Sequence, residues 1–379
     1  MAKYELTRKG NHMPRHLFTF LLSLFLLISL LNPAATRAEP DSGSKNKNGI
    51  SPASAANYIH SVIEAGRTIY SEVIVERLGV TIDLKATENW KKDNTLPLPA
   101  QFLLLSSHTS NAREIGMTYR LMSLWPINKQ NGPRTKFEKI GLEEIIKMPE
   151  KPFTKVVSIK GKPFFKAIYP DKAVTKACIA CHNNHPKSPK NDFKFGDVMG
   201  GISIVLPLSD SGAKEGKYLI PAEVVADYIH SVLESDRQVY SEHVVNRLQK
   251  NNIVYASENW WEDNALLLPA QFLLNASDLI INKNIDLDFK LISSWPINKH
   301  NGPANEFERR GLKNIIRHPV RPYIEYRNIG GRKYFQAIYP DFAVSPACVS
   351  CHNAHPKSPK RDFKLNDVMG GIVMTLPLE

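Results

Sequence analysis

Apolar residues at Ile59, Val62, Ile63, Ile69, Tyr70, Val73, Ile74 and Leu78 fall three, four or seven positions apart, which puts them on one face of a helix. Ser51-Pro52 supplies a helix start and Gly79 an end. A second helical stretch covers Pro99 to Ser107, followed by an extended segment around Tyr119 to Trp125, a turn through Asn128 to Pro133, and a short helix from Lys136 to Lys147. Lys155 to Ile159 and Pro163 to Tyr169 then read as two strands of a β-hairpin about Lys160-Gly161-Lys162. A short helix from about Asp171 comes next, and Val198 to Leu206 makes a closing strand in which Gly200-Gly201 permit close approach of another backbone or of a ligand. The fold class is α+β, with long N-terminal helices and a small antiparallel sheet.

The whole pattern occurs twice. At an offset of 170 residues, Ala53 to Ser209 aligns without a gap on Glu223 and onward: His60 meets His230, Tyr70 meets Tyr240, Trp90 meets Trp260 and Trp125 meets Trp295. Between Asp171–Leu208 and Asp341–Leu378, 26 of 38 positions are identical, so the chain is a tandem duplication. The expected organisation is a signal peptide over 1–38, a disordered polar segment over 39–50, one domain over 51–208, a glycine-broken linker over 209–220 and a second domain over 221–379. The signal peptide rests on Lys3, Arg8, Lys9 and Arg15 ahead of an apolar run from Leu17 to Leu31, with small residues up to Ala38. An uncleaved N-terminal anchor is the alternative and would be the only link to a membrane. Either way the remainder is expected outside a bacterial cytoplasm, in the periplasm.

The chain has four cysteines, all in Cys178-Ile-Ala-Cys181-His182 and Cys348-Val-Ser-Cys351-His352. Two thiols three positions apart can add to the two vinyl groups of one haem, and the adjacent histidine can bind its iron, which is the spacing of c-type haem attachment. A redox disulfide, or a zinc knot completed by His185 or His355, uses the same residue types. Zinc would have to be wrapped by ligands within eight consecutive residues, and the export signal agrees with haem, so two covalently attached c-type haems are expected. Cys178, Cys181, Cys348 and Cys351 would form the thioethers, with His182 and His352 as proximal iron ligands.

The helix carrying Arg67, Tyr70 and Arg77, the Leu96-Pro-Leu-Pro-Ala-Gln101 segment, the stretch from Ser123-Leu-Trp-Pro-Ile-Asn128 to Phe137-Glu138, and the late Cys-x-x-Cys-His ahead of Asp197-Val-Met-Gly200 resemble a known family. It comprises periplasmic c-type haem domains with a PAS-like fold, first catalogued as a domain of unknown function and found in a cyanobacterial haem protein and at the front of bacterial sensor kinases. The resemblance covers both repeats. It implies two tandem PAS-like domains with one haem each and a role in sensing or electron transfer. Members can place a cysteine on the far side of the iron, but here no cysteine is left for it.

Candidates for that far side in both repeats are His60 and His230, Met199 and Met369, and His185 and His355. The tether from His182 to His185 is too short to cross the ring easily, and a methionine on the last strand is more economically a core residue. His60 and His230, on a separate helix, are the expected distal ligands. Arg67 and Arg237, two turns further along the same helical face, are expected to meet a haem propionate.

The net charge of +12 falls to +8 once the segment to Ala38 is removed, because Lys3, Arg8, Lys9, Arg15 and Arg37 stand against Glu5 there. That basicity, with Lys187-Ser-Pro-Lys190 and Lys357-Ser-Pro-Lys360 following the motifs, suits an acidic redox partner protein. No arginine-rich stripe marks a nucleic-acid partner. The expected function is a periplasmic dihaem cytochrome c that transfers single electrons. The alternatives are a redox or diatomic-gas sensor acting through a partner and, third, a haem enzyme of the peroxidase or nitrogen-oxide reductase type. A carrier or sensor is preferred to an enzyme because no distal acid/base set is recognisable.

Overall fold

The computed structural model describes residues 49–209 and 218–379. The expected signal peptide, most of the polar segment after it and linker residues 210–217 lie outside the described residues. No helix among the described residues is long and apolar enough to cross a membrane.

In the first repeat, α1 (Pro52–Thr68) begins where Ser51 Oγ accepts from Ser54 N at 3.2 Å. This satisfies an amide that the helix leaves free, and Pro52 loses nothing at a position with no intrahelical donor role. The helix does not stop at Gly79. It widens into a π-type turn over Ile69–Glu76 and resumes over Arg77–Thr81. The extra residue per turn explains why the apolar stripe stays buried through Tyr70, Ile74 and Leu78 although the spacing drifts. After a short helix at Trp90–Asp93, α2 (Pro99–Asn111) runs four residues beyond the expected end. Leu98 N donates to Gln101 Oε1 at its start.

The sheet consists of β1 (Thr118–Met122), β2 (Phe153–Ile159), β3 (Lys162–Lys172) and β4 (Val198–Pro207), in the antiparallel order β1-β4-β3-β2. Lys160 and Gly161 both have positive φ (51° and 80°), as do Gly330 and Gly331 in the second repeat (60° and 86°), the geometry of a two-residue hairpin whose twist matches the strands. Helix α3 (Lys136–Lys147) covers one face of this sheet and α1 the other. Strand β4 is therefore buried on both sides, Ile202, Ile204 and Leu206 toward α1 and Gly201 toward α3. A Cβ on Gly201 would stand 2.9 Å from Leu142, Ile145 and Ile168, and one on Gly200 would stand 2.6 Å from Met122 O. The glycine pair thus admits a helix and a neighbouring strand. The cysteine-bearing helix α4 (Lys176–Asn184) is inserted between β3 and β4 and starts at Lys176, since β3 continues past Asp171.

The second repeat follows the same course through α5 (Ala222–Val239), α6 (Pro269–Asn282), β5 (Asp288–Ile292), α7 (Glu306–Arg317), β6 (Tyr323–Ile329), β7 (Arg332–Phe342), α8 (Pro346–Ala354) and β8 (Val368–Pro377). Its sheet order is β5-β8-β7-β6. The chain is an α+β tandem, two repeated helix-and-sheet units.

Helices α1, α2, α5 and α6 pack between the repeats, and one continuous core runs through both. The contacts are reciprocal. Arg77 Nη1 donates to Trp260 O at 3.3 Å and Arg247 Nη1 to Trp90 O at 3.2 Å. Arg113 pairs with Glu234 and Lys283 with Glu64, each at 2.8 Å. Phe102 meets its own counterpart Phe272 edge-on at 5.9 Å. The entries to the two repeats also pair, Gly49–Ile50 against Ile220–Pro221. Each large side chain buried here contributes about 1.5–3 kcal/mol, so the interface is an integral part of that shared core.

Candidate functional site

Each Cys-x-x-Cys-His helix is fixed by its own residues. Thr175 Oγ1 accepts from Cys178 N at 3.3 Å, and Ser345 Oγ from Cys348 N at 3.4 Å, so the first cysteine sits in the opening turn. At the other end, Asn183 Nδ2 donates to Phe193 O and Phe193 N to Asn183 Oδ1, both at 3.0 Å, and Asn353 holds Phe363 in the same way at 2.9 Å. This clamp sets Phe193 edge-on to the His182 ring at 5.7 Å and Phe363 edge-on to His352 at 5.8 Å. Trp125 packs edge-on against Phe193. Ser123 Oγ, which donates to Met199 O at 2.6 Å and accepts from Trp125 N at 3.0 Å, pins its loop to β4.

No disulfide joins any of the four cysteines. Burial pushes the Cys181 and Cys351 thiols up, with Glu88 and Glu258 acting the same way, so both are protonated at neutral pH. Burial lowers His182 and His352, leaving neutral imidazoles, the state that binds a metal ion. The Nδ1 of each is buried with no hydrogen-bond partner. Among the described residues no group of three or more His, Cys, Asp or Glu is placed to hold a metal ion by itself.

In the second repeat these side chains line a cavity of about 1170 Å³. Ligand cavities commonly span roughly 300–1,000 Å³, so this one is large enough for an extended planar molecule. Cys348, Cys351 and His352 lie on its wall with Leu274, Leu291, Trp295, Phe342 and Met369, and so does Arg237. Arg237 Nη2 stands 2.7 Å from Asp341 Oδ1, an ion pair without hydrogen-bond alignment, since Oδ1 is otherwise unpartnered. Arg67 and Asp171 form the matching pair at 2.9 Å. Burial raises both carboxyls while the arginine beside each lowers it. Nε of each arginine is buried with no acceptor, an orphaned donor. Two thiols, a neutral imidazole, apolar walls and a cationic donor with spare capacity fit a haem: sulfur for its vinyl groups, imidazole for its iron, guanidinium for a propionate.

The expected distal histidines are placed elsewhere. His230 does not belong to the wall of that cavity. Its ring stacks on Tyr339 at 4.1 Å, and His60 stacks on Tyr169 at 4.0 Å. His60 lines a separate cavity of about 380 Å³ at the junction of the repeats, with Ser54, Asn57, Tyr58 and Asp286. Burial takes both imidazoles down to about 4, and each Nε2 lacks a hydrogen-bond partner, with Glu234 Oε2 3.9 Å from that of His230. The two imidazoles are thus held by stacking on a tyrosine of β3 or β7, with the in-plane Nε2 of each free of hydrogen bonds. Met199 sits in a small apolar cluster with Ala173 and Phe193 beside Cys178, and Met369 in the matching one. His185 Nδ1 accepts from Lys187 N at 3.1 Å and its Nε2 lies 3.4 Å from Glu88 Oε1, a local role. Lys190 folds back over Phe193 at 4.9 Å and pairs with Asp192, which leaves Lys187 as the outward cation of that loop.

The sequence reading passed over Asp171 and Asp341, the Asn183–Phe193 clamp and its copy, and Ser123 and Ser293. All of them recur at the 170-residue offset, and that recurrence was the available signal.

The model of the Tll0287-like family matches residues 50–207 and again residues 218–377. No curated protein matches the chain.

Proposed function

We propose, for a chain that belongs to the Tll0287-like family of haem-binding domains through both its halves, that it carries two c-type haems, one per repeat, and passes single electrons outside the cytoplasm. The observation that carries this reading is the shared wall of Cys348, Cys351, His352 and Arg237 around one large cavity, together with the recurrence of all four residues in the first repeat. A bound haem supplies a one-electron iron couple. The chain's residues do the rest. The thiols of Cys178 and Cys181, and of Cys348 and Cys351, would hold the haem by adding S–H across its two vinyl groups, with nothing released. The imidazole of His182 or His352, already neutral, needs no proton loss to bind iron. Arg67 and Arg237, each with a buried Nε lacking an acceptor, would hold a propionate, and Trp125 and Trp295 with the phenylalanine beside each would keep water from the bound group. A rigid setting of this kind keeps reorganisation small.

A second reading, a sensor for a diatomic gas, is favoured by one feature. Besides the motif residues, the second cavity presents Asn246, Gln249 and Gln271, neutral amides, and His300 on an exposed turn.

Mass spectrometry of the exported protein tests the haem count, with an excess of two haem groups expected. One or none would overturn the dihaem assignment. Reduced protein that leaves carbon monoxide unbound supports transfer, whereas stoichiometric binding at the second centre favours the sensor.

A further inference from the structure

Residues 66 and 236 hold the same position in the two repeats, on helices α1 and α5, which pack against each other across the interface. The first is glycine and the second aspartate. Asp236 is 4% exposed, and its carboxyl fills the space that Gly66 leaves: a methyl group on Gly66 would overlap Asp236 Oδ2 and stand 3.4 Å from its Cγ. Two hydroxyls are buried nearby without a partner at hydrogen-bonding angles, Ser106 Oγ from α2 and Tyr119 OH from β1. Ser106 is close enough to favour the ionised carboxyl, and the Asp236 charge raises the Tyr119 phenol.

The cations of the surrounding elements are engaged elsewhere. On α5, Arg237 faces Asp341; on α1, Arg67 faces Asp171; Arg113 after α2 pairs with Glu234; Lys283 after α6 pairs with Glu64; and Arg120 on β1 pairs with Glu138. A carboxylate at residue 236 would thus be a buried charge with hydroxyls and no cation. A neutral carboxyl would be an acceptable polar core group.

We propose that Asp236 is a proton-operated contact between the two repeats: protonated, it lets α1 and α5 close over it, and loss of the proton loosens them. Burial pushes this carboxyl up to about 7. The folded chain therefore holds a proton that the unfolded chain has already released above the ordinary aspartate value. Stability from this group is highest below that ordinary value, falls as pH rises toward about 7, and is level above it. Arg237, the next residue, lines the second haem cavity, so the contact adjoins that cavity's charge pair. The inference does not depend on the haem assignment.

The test is urea unfolding of the full haem-loaded chain, wild type beside Asp236→Asn, at several pH values from about 5 to about 8.5. Asparagine copies the neutral acid. The difference between the two midpoints cancels every other titrating group. Its expected course is a growing advantage for the variant up to about pH 7 and a plateau beyond. A difference that stays constant with pH, or a variant that does not fold, overturns the proposal. In wild type, amides of α1 and α5 should exchange faster at the high end after correction for intrinsic rates, and unchanged protection there would also overturn it.

Discussion

The guanidinium of Arg77 lies 4.9 Å from the ring centre of Trp260 in the other repeat, and Arg247 repeats the arrangement with Trp90 at the same distance. Each arginine also donates to two backbone carbonyls across the interface. Substituting either by alanine removes a cation–aromatic contact and takes a donor from Ala265 O or Thr95 O, while Trp260 O and Trp90 O keep the amides of Ala265 and Thr95. A loss of about 1–3 kcal/mol per site is expected from denaturant unfolding. Equal losses at the two sites would reflect their reciprocity, while an effect below about 0.5 kcal/mol, the level of a surface change, would argue against an energetic role.

His182→Ala and His352→Ala each remove one imidazole from one cavity. Visible absorption of the exported protein should show a change in about half of the haem signal for each variant. Identical spectra in wild type and both variants would contradict the assignment of these residues as iron ligands.

His60 and His230 are expected to leave the iron untouched. Replacing either with phenylalanine keeps the stack on Tyr169 or Tyr339, so paramagnetic resonance of the oxidised protein should not change. Stability should change with a definite sign. The folded imidazoles sit at about 4 against an ordinary 6.5, so wild type loses stability as pH falls through that window. Each phenylalanine variant should lose less, by up to about 3 kcal/mol at the acid end. An altered resonance spectrum would assign these imidazoles to the iron.

Arg237→Leu strands the Asp341 carboxyl in a buried place and should cost about 3–5 kcal/mol, whereas Arg237→Leu with Asp341→Asn should recover most of that. The reduction potential of the second haem separates the two roles of the arginine. The double variant is expected to fold yet show a shifted potential in about half of its haem signal, because the propionate contact is gone in both variants. A wild-type potential in the double variant would limit Arg237 to its pairing with Asp341.

Much of this architecture was legible because the chain repeats itself. Apolar spacing located α1, α3 and the hairpin, and Lys160-Gly161-Lys162 marked its turn, where Lys160 and Gly161 take positive φ. The π-type turn at Ile69–Glu76 was hidden, since a single extra residue blurs a helical period without breaking it. The motif cysteines and histidines stand on one short helix in each repeat, α4 and α8, where their close spacing puts them. The place of His60 could not be read from spacing. A histidine on a helix gives no sign of which face its neighbours take, and Tyr169, more than a hundred residues away, decides it by stacking. Asp171 was overlooked for a related reason: an aspartate at a strand end looks solvated until the arginine that buries it is known.

The reciprocal packing of the repeats has a consequence for what each half can become. Two identical subunits would carry the same residue on both sides of their axis. Glycine twice at residues 66 and 236 would leave a hole, and aspartate twice would force two carboxyls into one space. Covalent fusion lifts that restriction, because the partner of each half is always the other half and never a second copy of itself. A single acid can then be kept against a single glycine, and the pair can acquire a direction that a symmetric dimer is denied.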